Sequence, residues 1–264
     1  MLYIEKGTPL RAISLKAAEI RRRKSWKQLP SSAPKDENQA KNYTNMLRFM
    51  FEEFSKEELR KTILKEQHYL CAYCMRRISN DGEHTRIEHW YPLNKSKTAA
   101  IDYNNMLGAC TGLDYQDGDV HTCCDRSKEG IPITLDPRDK RMMAQIRYES
   151  NGRIYFLPSP TWSKEEIEGF QNDIDTVLML NGVNYANAEQ GQNKNQIGVD
   201  DLKSQRSAVY RACRTILDRL RRENKATEEN IAAILRSIRD KEEYDEFAGV
   251  RIFYFERWLR RRRS

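Results

Sequence analysis

Four cysteines place the strongest constraint on what this chain can fold into. Cys71 and Cys74 form a Cys-x2-Cys knuckle, and Cys110 and Cys124 follow it at a distance. Tetrahedral zinc takes four such ligands, and a Cys-x2-Cys turn presents two thiolates to one side of the ion. Six cysteines among 264 residues are too sparse for a disulfide scaffold. We therefore predict a structural Zn²⁺ site that is held by these four residues.

The sequence leaves the identity of the fourth zinc ligand open. An insertion separates Cys110 from Cys124, so both of its ends must return to the metal. Cys123 is adjacent to Cys124 and could be the ligand instead, and His68 or His121 could also substitute. The alternative to a metal site is that the cysteines are reduced and buried as small hydrophobic side chains.

Two short segments beside the cysteines carry groups that suit phosphodiester hydrolysis. Glu88 and His89 lie between the two cysteine pairs, and Asp125 lies just after the second pair. Hydrolysis needs a base that activates water and a divalent cation that neutralises the phosphate. Adjacent residues of a strand point to opposite faces. We therefore expect a local distortion that lets Glu88 and His89 converge, and Pro92 is compatible with it.

Other polar residues near these segments have less defined roles. Arg126 and Lys128 follow Asp125 and either contact phosphate or are solvated charges on a helix. His84 lies in a turn rich in polar residues, and we expect it to be exposed to solvent.

The same residues resemble the HNH (ββα-metal) endonuclease motif with its structural zinc. Four segments carry the resemblance: Cys71-x2-Cys74, Glu88-His89-x2-Pro92, Asn105-x4-Cys110 and Cys124-Asp125-x2-Lys128. The resemblance implies a ββα-metal core in which His89 is the general base and Asn105 orients the loop and the base. It also implies that Glu88 and Asp125 bind a catalytic Mg²⁺ or Mn²⁺ ion.

The chain departs from the commonest form of this motif in two places. Its third position is Asp125 rather than His or Asn, and a carboxylate suits a hard cation. The insertion between Cys110 and Cys124 is the second departure. Asn104 is the neighbour that could be confused with Asn105, but only Asn105 has the x4 spacing to Cys110.

Phrases outside the motif are similar to those of HNH proteins found with retrons and in Septu anti-phage systems. These phrases are Ile4-Glu5-Lys6-Gly7, Leu135-Asp136-Pro137, Asn151-Gly152-Arg153-Ile154 and Val177-Leu178-x-Leu180-Asn181. The resemblance implies an effector of anti-phage defence that cuts nucleic acid, with DNA favoured. It implies an ABC-type ATPase subunit as partner, and a retron reverse transcriptase with its RNA-DNA product as a further one. The sequence contains no Walker A motif, so any ATP dependence must come from another chain.

Two alternatives to a DNA nuclease stay open. The first is an RNA nuclease in the same complex, acting for example on transfer RNA, since the same base and ion can hydrolyse an RNA linkage. The second is a non-catalytic zinc-binding module that binds nucleic acid or a partner protein. Such a module would need none of Glu88, His89, Asn105 and Asp125.

The hydrophobic pattern predicts an α+β fold that is mainly α-helical, with three regions. An N-terminal helical segment covers residues 1–67, and the HNH core covers residues 68–140. Residues 141–264 form a β-hairpin and then a C-terminal helical region for partner docking. We expect the hairpin at 145–157, a helix at 163–180, a long polar loop at 181–196 and helices at 200–224, 228–240 and 244–262.

Charge and hydropathy restrict the class of protein. The net charge is +7, and residues 205–264 hold 16 of the 46 basic and 10 of the 39 acidic residues, so most of the excess is C-terminal. A basic surface there suits nucleic acid or an acidic partner. Residues 1–10 do not resemble a secretory signal, and no apolar run approaches the ~20 residues that span a bilayer. We therefore expect a cytoplasmic protein with no membrane partner.

Overall fold

The structure, a computed structural model, describes residues 1–116, 119–182 and 198–263 of the chain. It is an α+β fold in which helices dominate, as the sequence predicts. Four helices precede the first strand: α1 Arg11–Arg22, α2 Lys24–Gln28, α3 Glu37–Glu52 and α4 Lys56–Glu66. Side-chain caps set the start of the last two, because Asp36 accepts the Gln39 amide and Ser55 accepts the Glu58 amide.

A buried two-stranded sheet follows the N-terminal helices. Strands β1 (Thr85–His89) and β2 (Met106–Cys110) are antiparallel, with Glu88 opposite Leu107 and His89 opposite Met106. Along the chain, helix α5 (Lys97–Ile101) follows β1 and precedes β2, and it is flanked by 3-10 turns at Leu93–Lys95 and Tyr103–Asn105. The predicted insertion then forms a second hairpin, and a short helix ends this region: β3 Leu113–Gln116, β4 Asp119–Thr122 and α6 Cys124–Lys128.

The first sheet lies between two hydrophobic clusters. Leu107 belongs to the larger cluster, which contains the cysteines and the C-terminal helices. Met106 belongs to the cluster of the N-terminal helices. Because paired residues of antiparallel strands share a face, Glu88 points toward the larger cluster and His89 toward the N-terminal helices. The expected distortion is absent from β1, since the pairing is regular as far as His89.

The rest of the chain is a hairpin followed by helices, and the predicted elements are present with shifted ends. A short helix that the sequence did not predict, α7 Lys140–Met143, precedes the hairpin. The predicted elements are β5 Ile146–Tyr148, β6 Ile154–Phe156, α8 Lys164–Asn172 with a π-helical turn at Asp173–Val177, α9 Gly198–Arg222, α10 Glu228–Arg239 and α11 Ala248–Arg263. The predicted loop 181–196 lies almost entirely outside the described residues. Among the helices described, none is long and apolar enough to cross a membrane. The three-region division stays a prediction.

A buried arginine ties α9 to the β5–β6 hairpin. The Arg206 side chain is fully buried, and it donates hydrogen bonds to the carbonyl oxygens of Gly152 (2.7 Å) and Leu180 (2.6 Å). Gly152 has a φ of 85°, and a Cβ there would lie 1.9 Å from the Lys203 carbonyl oxygen. The Asn151-Gly152 turn therefore requires glycine both for its backbone conformation and for the approach of α9.

Gly249 allows α11 to pack closely against the start of the chain. A Cβ at this position would lie 2.7 Å from the Met75 Sδ and 3.1 Å from the Met1 carbonyl oxygen. We expect Gly249→Ala to lower the free energy of unfolding by about 1–3 kcal/mol through overpacking. The measurement is chemical denaturation of the full chain.

Gly169→Ala in α8 is the matched control. A Cβ there would lie 3.6 Å from its nearest neighbour, the Thr134 Oγ1, which is an ordinary contact. Replacing this helical glycine should leave stability unchanged or raise it by up to about 1 kcal/mol. Equal destabilisation by the two substitutions would contradict the close packing at Gly249.

Candidate metal centre and active site

The knuckle at Cys71 and Cys74 is a tight turn held by its own backbone. The Cys71 amide donates to the Arg76 carbonyl oxygen (2.8 Å), and the Met75 amide donates to the Cys71 carbonyl oxygen (3.1 Å). The Arg76 amide lies 3.5 Å from the Cys74 Sγ. An amide directed at the sulfur favours the thiolate form, which is the form that binds metal.

Four buried sulfur atoms meet at one point of the larger cluster. The Sγ atoms of Cys71, Cys74, Cys110 and Cys124 all lie within 4.8 Å of one another. The Cys71–Cys124 pair is 3.8 Å apart and the Cys74–Cys110 pair 3.7 Å, and all four are free thiols. With Zn–S bonds of about 2.3 Å, a tetrahedron has edges of about 3.8 Å. The four cysteines therefore lie close enough together to bind a metal ion such as zinc, as the sequence predicts.

Cys124 occupies the fourth position of this cluster. Cys123 is also buried but does not belong to the group of four within the described residues. The His68 ring is stacked on Tyr244, with 3.8 Å between the ring centroids, so it is directed elsewhere. The side chain of His121 lies outside the described part of the structure. Of the alternatives that can be compared, the geometry favours Cys124.

Glu88 is buried, and two hydrogen-bond donors from the described residues meet at its Oε1 atom. The Tyr73 hydroxyl donates to Oε1 (3.2 Å), and the Lys128 ammonium lies 2.5 Å from the same atom. Burial, together with the neighbouring Asp125 carboxylate, raises the pKa of Glu88 well above its usual range. Two carboxylates that repel each other in a buried place favour a cation between them.

Lys128 is buried, which its position in the sequence does not predict. Its side chain is completely buried, so the predicted alternatives of phosphate contact and a solvated charge are both wrong for this residue. The ammonium donates to Glu88 Oε1 and to the His89 carbonyl oxygen (3.0 Å), which joins α6 to β1. Arg126 is exposed on the same helix and remains able to contact a phosphate.

A hydrogen bond at its Nε2 atom fixes the orientation of the His89 ring. This nitrogen lies 3.1 Å from the Ala100 carbonyl oxygen, and since a carbonyl only accepts, Nε2 carries the hydrogen. The Nδ1 atom of the neutral ring therefore carries no hydrogen, and its lone pair can accept a proton. The ring packs edge-on against Phe51, with 4.6 Å between the centroids, and burial lowers the pKa of His89 to about 4. The imidazole is therefore neutral at physiological pH.

Asn105 fastens the loop that holds the histidine. Its side-chain amide donates to the carbonyl oxygens of Tyr91 (2.8 Å) and Ala99 (3.0 Å), and its Oδ1 accepts the Tyr91 amide (2.8 Å). Ala99 immediately precedes Ala100, the residue that holds the His89 ring. Asn104 is exposed. The contacts are those expected of a loop-orienting residue and belong to Asn105.

Asp125 lies at the start of α6 and is less buried than Glu88. The Arg86 Nε lies 3.4 Å from Asp125 Oδ2, and both side chains reach solvent. Arg86 is not among the residues predicted from the sequence, although its position on β1 gives a signal. Arg86 is two residues before Glu88 on β1 and therefore shares its face.

Glu88 and Asp125 place two carboxylates close together between β1 and α6. Mg²⁺ is commonly bound by one or two carboxylates, with waters and substrate phosphates completing its shell. Comparison of the chain with protein-family models and with curated proteins gives no match. Any assignment of activity therefore depends on the residues and contacts described above.

The sulfur geometry predicts that the chain purifies with one zinc ion and that Cys74 is needed to keep it. We expect Cys74→Ser to lose the metal and to unfold at a markedly lower temperature, since four thiolates hold the structural ion. The measurements are elemental analysis of protein purified without chelator and thermal unfolding.

Cys213→Ala is the control for Cys74→Ser. Cys213 is equally buried, but it lies on α9 and does not belong to the group of four. This variant should keep the metal. Wild-type protein without metal, or loss of metal from both variants, would contradict the four-cysteine site.

Asn105 and Asn104 make a matched pair for testing the loop. We expect Asn105→Ala to lower the free energy of unfolding by about 2–4 kcal/mol, because it leaves buried backbone groups without partners. Asn104→Ala changes an exposed side chain and should shift stability by less than about 0.5 kcal/mol. Urea denaturation compares the two, and equal effects would show that Asn105 does not hold the loop.

Proposed function

We propose that this chain is a metal-dependent HNH endonuclease that hydrolyses phosphodiester bonds in nucleic acid. One observation carries the proposal: a buried glutamate on β1, the strand that also carries the fixed His89, and an aspartate at the start of a short helix form neighbouring carboxylates. In this proposal β1, β2 and, after the intervening β3–β4 hairpin, α6 would form the ββα-metal core that the resemblance implies.

His89 is proposed to act as the general base. Its Nδ1 atom would accept a proton from the attacking water, while its Nε2–H stays on the Ala100 carbonyl oxygen. Asn105 positions this base through the 91–99 loop. Since the ring cannot turn without breaking the bond to Ala100, Nδ1 is kept in one direction throughout the reaction.

Glu88 and Asp125 are proposed to hold the catalytic Mg²⁺ or Mn²⁺ ion, which would stabilise the charge on the phosphate and on the departing oxygen. Lys128 and Tyr73 fix the position of Glu88 by binding its Oε1 atom. The four cysteines would hold a structural Zn²⁺ ion that takes no part in the chemistry.

We propose DNA as the substrate. The chain would act on it as the effector of a bacterial anti-phage defence complex that also contains an ATPase subunit. This part of the proposal depends on the resemblance of the flanking phrases, and RNA is the substrate to test beside DNA. A retron reverse transcriptase is a second proposed partner. The C-terminal helices, which hold most of the excess positive charge, are the proposed docking region for partner or nucleic acid.

The general-base role predicts the effect of His89→Ala. We expect Mg²⁺- or Mn²⁺-dependent cleavage of DNA or RNA by the assembled complex to fall by about 10²- to 10⁴-fold. The assay follows cleavage of phage DNA and of total RNA separately, with protein that retains its zinc and its cooperative unfolding.

His84→Ala is the control, since His84 lies on the turn before β1 and its side chain is 70% exposed. It should cut at the wild-type rate. Cleavage by folded His89→Ala at the wild-type rate would remove the general-base role. If the wild-type complex cut neither nucleic acid, the chain would instead be a non-catalytic zinc module.

A further inference from the structure

A cavity of about 470 Å³ lies between the first residues of the chain, the β5 strand and helix α11. It shares no residue with the candidate active site at Glu88, His89, Asn105 and Asp125. One wall is a single face of α11 that begins at Gly249, where that helix approaches Met75 and Met1 closely. Toward its C-terminal end α11 lines the cavity with Ile252, Phe253, Glu256 and Arg260.

The cavity contains more positive than negative charge. Its basic lining residues are Lys140, Arg147, Arg239 and Arg260, and its acidic ones are Glu66 and Glu256. Glu66 is already paired outside the lining, 2.6 Å from the Lys6 ammonium. Glu256 alone faces two of the arginines, Arg239 and Arg260. The cavity therefore has positive charge that its own carboxylates do not balance.

Arg147 is the clearest instance of this imbalance. It has no carboxylate within 4 Å in the described part of the chain, and its guanidinium donates instead to the carbonyl oxygens of Ala144 (2.6 Å) and Ile146 (3.0 Å). Its Cζ lies 5.9 Å from the centre of the Phe253 ring. Burial and the nearby Arg260 charge both lower the pKa of Arg147. A partly buried arginine beside another arginine is costly unless an anion joins them.

Apolar side chains line the cavity between these charges. Leu2, Ile252 and Phe253 contribute aliphatic and aromatic surface, and the stacked rings of His68 and Tyr244 lie at the same opening. A cavity of this size with mostly apolar walls and a few convergent polar groups is typical of small-molecule sites, which measure about 300–1,000 Å³. Such a lining suits a ligand with a planar, apolar part and a multiply charged part.

We propose that this cavity binds a nucleoside phosphate, with its phosphates on Arg147 and Arg260 and its base on the apolar wall beside Phe253. Arginine is suited to this role because its planar guanidinium offers paired donors to phosphate oxygens. The site lies beyond the proposed nuclease function and does not depend on it. A chain without nuclease activity would still bind the nucleotide.

The test is isothermal titration calorimetry of the full, zinc-containing chain with ATP. We expect ATP to bind the wild-type protein, and Arg147→Met and Arg260→Met each to weaken binding by about tenfold or more, since each removes charge-assisted bonds to phosphate. Two separate variants guard against one of them failing to fold. Thermal unfolding and zinc content show that each variant is intact.

Arg153→Met is the matched control. Arg153 lies on the same hairpin but outside the cavity lining, paired with Glu149 and stacked near Tyr155. It should bind ATP like the wild type. Absence of ATP binding at millimolar concentration, or equal binding by Arg147→Met and Arg153→Met, would overturn the proposal.

Two further probes separate the phosphate from the nucleoside and from nucleic acid. Inorganic tripolyphosphate should bind more weakly than ATP, and equal affinity would overturn the role of the apolar wall. A short single-stranded oligonucleotide should not displace ATP. If only the oligonucleotide bound, and Arg147→Met abolished that binding, the site would belong to nucleic acid and the nucleotide proposal would be wrong.

Discussion

Four thiols from three separate parts of the chain meet within the protein core, and the candidate site depends on that meeting. Cys110 ends β2, whose register fixes Glu88 and His89 on β1. Cys124 immediately precedes Asp125 on α6. The two carboxylates are therefore brought together from distant sequence positions by the same contacts that gather the sulfur atoms. Buried thiolates are stable only when a cation compensates them, so metal binding by these four cysteines would be coupled to the folding of this region.

The Lys128–Glu88 pair serves a different purpose within the same core. Removing two opposite charges from water costs several kcal/mol for each ion, and the attraction repays this only with good geometry. Here the ammonium also binds the His89 carbonyl oxygen, and Tyr73 binds the same Glu88 oxygen. Such a pair contributes little net stability. Its effect is to fix the position of α6 relative to β1, which is what a site divided between them requires.

Local patterns were enough to predict part of this structure. The four cysteines, the Asn151-Gly152 hairpin and the C-terminal helices follow from spacing, turn chemistry and periodicity. The burial of Lys128 was not predictable, because it depends on how α6 packs on a distant strand. The distortion expected in β1 was wrong for a related reason. Since both faces of that sheet are covered, Glu88 and His89 each find a buried environment without leaving the regular strand.

The β3–β4 hairpin and helix α6 should tolerate different kinds of sequence change, because contacts at the base of the hairpin hold its two ends together. The Cys123 amide donates to the Gly112 carbonyl oxygen (3.0 Å), and a Cβ on Gly112 would lie 2.2 Å from the Cys123 carbonyl oxygen. The number of residues in the segment 113–122 can therefore change while the contacts between Gly112 and Cys123 are kept. One residue gained or lost within α6 would turn its side chains by about 100° and separate a thiol, a carboxylate and an ammonium from their partners. Insertions and deletions among related chains should accordingly accumulate in the hairpin, whereas α6 should vary only by substitution.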